Sequence, residues 1–99
     1  MAREFLSVDP GALRLPSSRI DGADPPKLQR QIAKYGRSSS GMPDILVYRG
    51  SDGELMISDG VTRATRMAKL APGTRVPIEV IGTLRHPFAQ LPTVLEKLP

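Results

Sequence analysis

The residues best suited to chemistry lie in one run, Asp59-Gly60-Val61-Thr62-Arg63-Ala64-Thr65-Arg66. Their types suit the holding of an anion. A helix start leaves backbone N–H groups unpaired and carries partial positive charge. Gly60 keeps that end open, with no side chain in the way. Thr62 adds a hydroxyl. Arg63 falls within the first turn or just beyond, and Arg66 follows one turn later on a similar face. Free amides, a hydroxyl and a guanidinium together make a phosphate site. Asp59 reads either as a carboxylate cap on the helix amides or as a base or magnesium ligand. The plain alternative is an ordinary turn, since Ser51-Asp52-Gly53 repeats the same tripeptide as Ser58-Asp59-Gly60 in what reads as a hairpin.

The flanking sequence must position that run. Leu55-Met56-Ile57 is an apolar stretch of strand length. Val61, Ala64, Ala68 and Ala71 recur at helical spacing, so the helix that follows has one face to pack on a sheet. Asp44 to Tyr48 and Glu54 to Ile57 predict a hairpin across Arg49 to Gly53. Glu4 to Val8 predicts a first strand. Leu13 and Leu15 are expected core contacts. Asp24-Pro25-Pro26 is a helix start, and Gly36 ends that helix. Leu28, Ile32 and Tyr35 form its expected core stripe. Arg75 to Ile81 predicts a last strand, in which Pro77 suggests an edge position or a bulge.

Two further stretches are candidates for binding. Lys27, Arg30, Lys34 and Arg37 share another face of the first helix, with nothing acidic from Pro25 to Pro43. That face suits a polyanion; the alternative is a solvated surface. The loop Arg37-Ser38-Ser39-Ser40-Gly41 brings Ser39 and Ser40, whose hydroxyls and amides suit a phosphate, or it is a plain connector.

Taken together, these motifs resemble the ParB/sulfiredoxin superfamily, in particular the ParB N-terminal-like domain. Asp59-Gly60-Val61-Thr62-Arg63-Ala64 looks like its signature turn, which follows a strand and opens a helix. The order of the other elements is similar. Pro16-Ser17-Ser18-Arg19 matches a Pro…Arg segment, Tyr35-Gly36 a helix end, Pro43 to Tyr48 a strand after Pro, and Gly73 to Val80 a Val-Pro-Ile strand. The likeness spans residues 5 to 82 and leaves 83–99 as an extension, with Leu91, Val94, Leu95 and Leu98 spaced for a short helix after Pro92.

The resemblance implies a small bacterial-type α+β domain: a mixed sheet of about four strands with two main helices packed on it. It implies a nucleotide pocket, with Asp59, Gly60, Thr62, Arg63, Arg66, Ser39 and Ser40 as its residues, and magnesium only as it arrives with a nucleotide. Enzymes of the superfamily carry Cys, Glu or His where this chain has Val61. A valine can neither attack nor transfer a proton. The expected function is therefore nucleotide or phosphate binding without a catalytic residue. The alternatives are a nuclease or a nucleotide hydrolase or kinase of toxin type, and a protein-interaction domain with a silent site.

Bulk properties bound these readings. Ninety-nine residues make one domain with a modest core. There is no cysteine, hence no disulfide and no thiol catalysis. No metal-ligand cluster and no phosphate-cradling Gly-rich motif of the P-loop type stands out, and His86 has no catalytic partner to assign. No apolar run reaches membrane-span length and no signal peptide is visible, so cytoplasm is the default expectation and no membrane partner is expected. A net charge of +4 leans toward acidic partners, or serves solubility. Only 4% of residues are aromatic, which argues against stacking on single-stranded bases. Residues 83–99 are too few for the helix-turn-helix that DNA-loading ParB proteins carry after this module. Residues 87–98 are instead a candidate for self-association or a protein partner.

Overall fold

The computed structural model describes residues 3–99. They form a small α+β domain with two helices and a four-stranded mixed sheet. The elements are β1 (Glu4–Val8), α1 (Pro25–Tyr35), β2 (Ile45–Arg49), β3 (Leu55–Asp59), α2 (Val61–Leu70) and β4 (Val76–Thr83). The sheet order is β1-β4-β2-β3. β4 runs antiparallel to β1 and parallel to β2, while β2 and β3 form the hairpin.

The local signals act where the sequence puts them. The Asp24 carboxylate accepts the Lys27 N–H at 3.3 Å and starts α1, and Gly36 at φ 56° ends it. Ile45, Val47, Ile57, Val76 and Ile78 point to one face of the sheet and are fully buried. Ala64, Met67 and Ala68 of α2 cover them, small residues letting the helix approach closely. Leu13 and Leu15 complete this core. The outward-facing Phe5 and Ile81 stay exposed. No helix among the described residues is long and apolar enough to cross a membrane.

Four expectations change. Of the α1 stripe, Leu28 is buried and Ile32 half-buried, but Tyr35 is 46% exposed. The reason is that α1 packs chiefly against α2, not flat on the sheet, so its last turn overhangs the core. Pro77 lies in an internal strand, not an edge. It is tolerated because β2 comes alongside only from Ile78, so Pro77 has β1 alone as neighbour. The irregularity in β4 falls instead at Ile81, between the Val47–Val80 and Tyr48–Gly82 pairs.

Finally, the extension forms no α-helix, only a 3-10 turn at Leu95–Lys97. Its backbone is spent on long-range pairing: Leu15 N–H donates to Pro92 O and Val94 N–H to Leu13 O. Val94 enters the core at 1% exposed, while Leu95 stays 63% exposed. Arg14 also pairs with β3, donating to Leu55 O and accepting from Ile57 N–H, so that edge of the sheet is covered.

Candidate functional site

β3 delivers the chain to Asp59, and Gly60 turns it into α2. Gly60 has φ +118° and ψ 21°, a left-handed conformation that side chains resist. A Cβ there would lie 3.0 Å from Arg63 Nη2 and 3.2 Å from two carbons of Ile45. Gly60 is therefore required both by its conformation and by the close approach of its neighbours.

The first backbone bond of α2 runs from Ala64 N–H to Gly60 O, at 2.9 Å. The amides of Val61, Thr62 and Arg63 precede it and have no partner within the helix. Here Asp59 departs from expectation. Gly60, not Asp59, occupies the cap position, and no side chain caps this end. Asp59 is the last residue of β3, its side chain 70% exposed, with its carboxylate 3.5 Å from Arg63 Nη2. Asp59 accepts from none of the first α2 amides, which leaves them free for another anion.

Arg63 is more enclosed than its place on the polar face of α2 suggests. Its side chain is only 17% exposed. Nη2 donates to Asp44 O at a long 3.4 Å, and Nε is buried with no partner. A buried donor without an acceptor is unfavourable, so this guanidinium has bonding capacity left over.

These groups line a cleft of about 510 Å³. Asp59, Gly60, Thr62 and Arg63 all line it. Two other segments bring cations to the same place. The 3-10 turn Ser17–Arg19 supplies Arg19, and the first turn of α1 supplies Lys27. Asp24 also lines the cleft, occupied in capping α1. The sequence pattern alone assigns neither Arg19 nor Lys27 to the phosphate site. Arg19 belongs to the Pro…Arg segment of the resemblance, which is the signal that could have found it.

Arg66 does not reach this cleft. It is 1% exposed, and its side chain crosses to the end of α1. Nη1 donates to Gly36 O at 2.9 Å and Ser38 O at 2.7 Å, and Nε to Gln31 Oε1 at 3.2 Å. The guanidinium lies 5.3 Å from the Tyr35 ring centroid. Burial is the main influence on Arg66, holding its pKa below the usual arginine value. With no carboxylate in contact, its compensation comes from carbonyls at the negative end of α1. Arg66 thus acts as a tie between the helices.

Beyond Arg63 lies a second cavity of about 190 Å³, lined among others by Tyr35, Ser40, Met42 and Arg66. Ser40 faces this cavity and not the start of α2. Ser39 lines neither; its carbonyl accepts the Met42 N–H within the loop. The basic face divides as well. Lys27, Arg30 and Lys34 border an open groove of about 300 Å³ along α1, together with Thr62 and Tyr35. Arg37, past the helix end, borders none of the three. His86 is exposed, its carbonyl accepting the Ser51 N–H. No cluster of three or more His, Cys, Asp or Glu able to hold a metal occurs among the described residues.

Comparison of the chain with protein-family models, with curated proteins and with solved structures gave no match. The roles of these residues rest on their geometry.

Proposed function

We propose that this domain is a ParB/sulfiredoxin-like module that binds a nucleotide or another phosphate group at the start of α2, without turning it over. One observation carries the reading. A single cleft gathers the uncapped start of α2, the Thr62 side chain and the under-bonded Arg63 with two cations from elsewhere, Arg19 and Lys27. The Pro16–Arg19 segment and the Asp59–Ala64 turn, far apart in sequence, both carry the resemblance, and both border this cleft.

The expected roles follow from the chemistry. The Val61, Thr62 and Arg63 amides donate to a phosphate oxygen at the positive end of the helix, worth about 0.3–1 kcal/mol at an exposed site. Arg63 adds a charge-assisted bond of about 1.5–3 kcal/mol. Lys27 and Arg19 balance the remaining charge. Loss of freedom on binding opposes these terms, so affinity falls on the order of micromolar to millimolar. Val61 lines the cleft where the reactive residue would stand, and it has no proton to give.

The test is an NMR titration with a panel of nucleoside mono-, di- and triphosphates, with and without magnesium, alongside a phosphate-release assay. Shifts at the Gly60 to Arg63 amides without phosphate release support binding alone. Release above a blank, abolished by Arg63→Ala, overturns it in favour of a hydrolase. No shift with any phosphate ligand overturns it in favour of an interaction domain.

A further inference from the structure

We propose that the phosphate cleft is one end of a track for single-stranded nucleic acid, running from the start of α2 along α1 to Tyr35. This rests on the phosphate-binding reading and names its ligand as an extended phosphodiester chain. The three depressions on this face are contiguous. The large cleft and the open groove share Lys27, Gln31 and Thr62. The groove and the small cavity share Gln31 and Tyr35. A ligand leaving the start of α2 therefore passes Lys27, Arg30 and Lys34 before it meets Tyr35. Lys27 to Lys34 covers roughly 10 Å of helix axis, too long for one phosphate group.

The charge distribution points the same way. Arg19, Lys27, Arg30, Lys34, Arg63 and Arg66 border the three depressions, against the carboxylates of Asp24 and Asp59. These are six of the fourteen cations and two of the ten carboxylates of the chain. Arg66 is 1% exposed and tied to α1, so the accessible groups on this face are five cations against two carboxylates, which accounts for most of the chain's +4. Charge spread for solubility would not be so concentrated. The groove and the small cavity border no carboxylate at all. An ordered row of cations opening into a phosphate-sized cleft suits a chain of phosphates.

Tyr35 decides for a single strand over a duplex. Aromatics are few in this chain, yet this one stands 46% exposed at the end of the groove. Its present neighbours are cations, with Lys34 Nζ 5.2 Å from the ring centroid. Lys34 is exposed, and its long stem can swing onto a phosphate, leaving an unpaired base to share the ring with the fixed Arg66 guanidinium, 5.3 Å from its centroid. A paired base, stacked inside a duplex, offers no open face to such a ring.

The experiment compares a nucleoside triphosphate with labelled single-stranded DNA and RNA of about a dozen nucleotides, and with a DNA duplex of the same length, by fluorescence anisotropy at several salt concentrations. Arg30→Glu/Lys34→Glu is the key variant, because both residues are exposed and border only the groove. The proposal expects a single strand to bind at least tenfold tighter than the triphosphate. Its log–log salt slope should be about −2, for three phosphate contacts. The double variant should erase that advantage and leave triphosphate binding unchanged, and Tyr35→Ala should cost the oligonucleotide about fivefold or more. The DNA and RNA arms tell which sugar is preferred. Equal affinity for triphosphate and oligonucleotide, unmoved by the double variant, overturns the track while leaving the phosphate site standing. A duplex that binds as well as the single strand overturns the assignment of Tyr35. Binding of neither ligand overturns the track and the phosphate site together.

Discussion

Arg66 Nη1 donates to the Gly36 carbonyl at 2.9 Å, so a side chain from the middle of α2 closes the last turn of α1. The Ser38 and Gln31 contacts extend the same tie into the loop and back along the helix. Arg66→Met should therefore cost about 2–4 kcal/mol in a urea melt, because it strips several charge-assisted bonds from partly buried carbonyls. Arg66→Lys should recover only part, since an ammonium lacks the fork that spans these acceptors. A loss under about 0.5 kcal/mol, the range of an ordinary surface substitution, would contradict the tie.

Arg63 should separate from Arg66 in its effect. Its contacts are long and its Nε is unpartnered, so Arg63→Ala should change stability by at most about 1 kcal/mol. Phosphate binding should fall tenfold or more, measured by calorimetry on the same preparation, as about 1.5–3 kcal/mol of guanidinium bonding is lost. Arg63→Lys should rescue binding in part. Equal binding by the wild type and Arg63→Ala would remove Arg63 from the site.

Gly60→Ala should destabilise the domain by about 1–3 kcal/mol, because the methyl group meets Ile45 and the backbone sits at φ +118°. The same change crowds the start of α2. Heat-denaturation midpoints for Gly60→Ala and for a control, Gly53→Ala, separate the two effects. Gly53 is also left-handed at φ +83° but has no atom within 4 Å of a would-be Cβ. Gly60→Ala should lower the midpoint more.

Asp52 gives the acid limb of stability a named contributor. Desolvation pushes its pKa up, yet the Glu54, Phe88 and Ala89 backbone N–H groups prevail together and hold it below the usual carboxylate value. A carboxyl more acidic in the folded state than in the unfolded one stabilises fully above its unfolded value, about 3.9. That contribution is lost as pH falls through the lower folded value. Glu4 is also held low, chiefly by its hydrogen bond from Arg49, and Glu79 by that from Arg3. Denaturation of the wild type should therefore grow easier as pH drops below about 4, and Asp52→Asn should show a shallower acid decline. Parallel declines in the two proteins would contradict the role of Asp52.

What the sequence reveals here is what local chemistry decides. Asp24-Pro25-Pro26 and Gly36 punctuate α1 where the structure does, because each acts through its own backbone or nearest turn; at α2 the left-handed Gly60 takes the cap position that the sequence offers to Asp59. The meeting of Asp59, Gly60, Thr62 and Arg63 is legible for the same reason. What escapes is decided by distant segments. Arg66 shares its spacing with Arg63, yet its length and burial carry it to α1. Tyr35 fits a core period, but α1 leans on α2 and leaves it out. The spacing of Leu91, Val94, Leu95 and Leu98 fits a helix, but Leu13 and Leu15 offer the backbone of Pro92 to Val94 a pairing no local pattern records. Arg19 and Lys27 join the cleft only through the packing of three separate stretches.

The place of β4 has a consequence for how the chain reaches this state. It is the last strand in the order of synthesis, yet it lies between β1 and β2. As the polypeptide leaves the ribosome, β1 has no neighbour and the β2–β3 hairpin has one bare flank until β4 emerges. The sheet cannot be zipped up strand by strand. It must close in one late step in which β4 joins β1 to the hairpin, and closures between distant segments are slow. The nascent chain spends that interval with β1 and one flank of the hairpin unpaired, the period in which it is most open to proteases and chaperones.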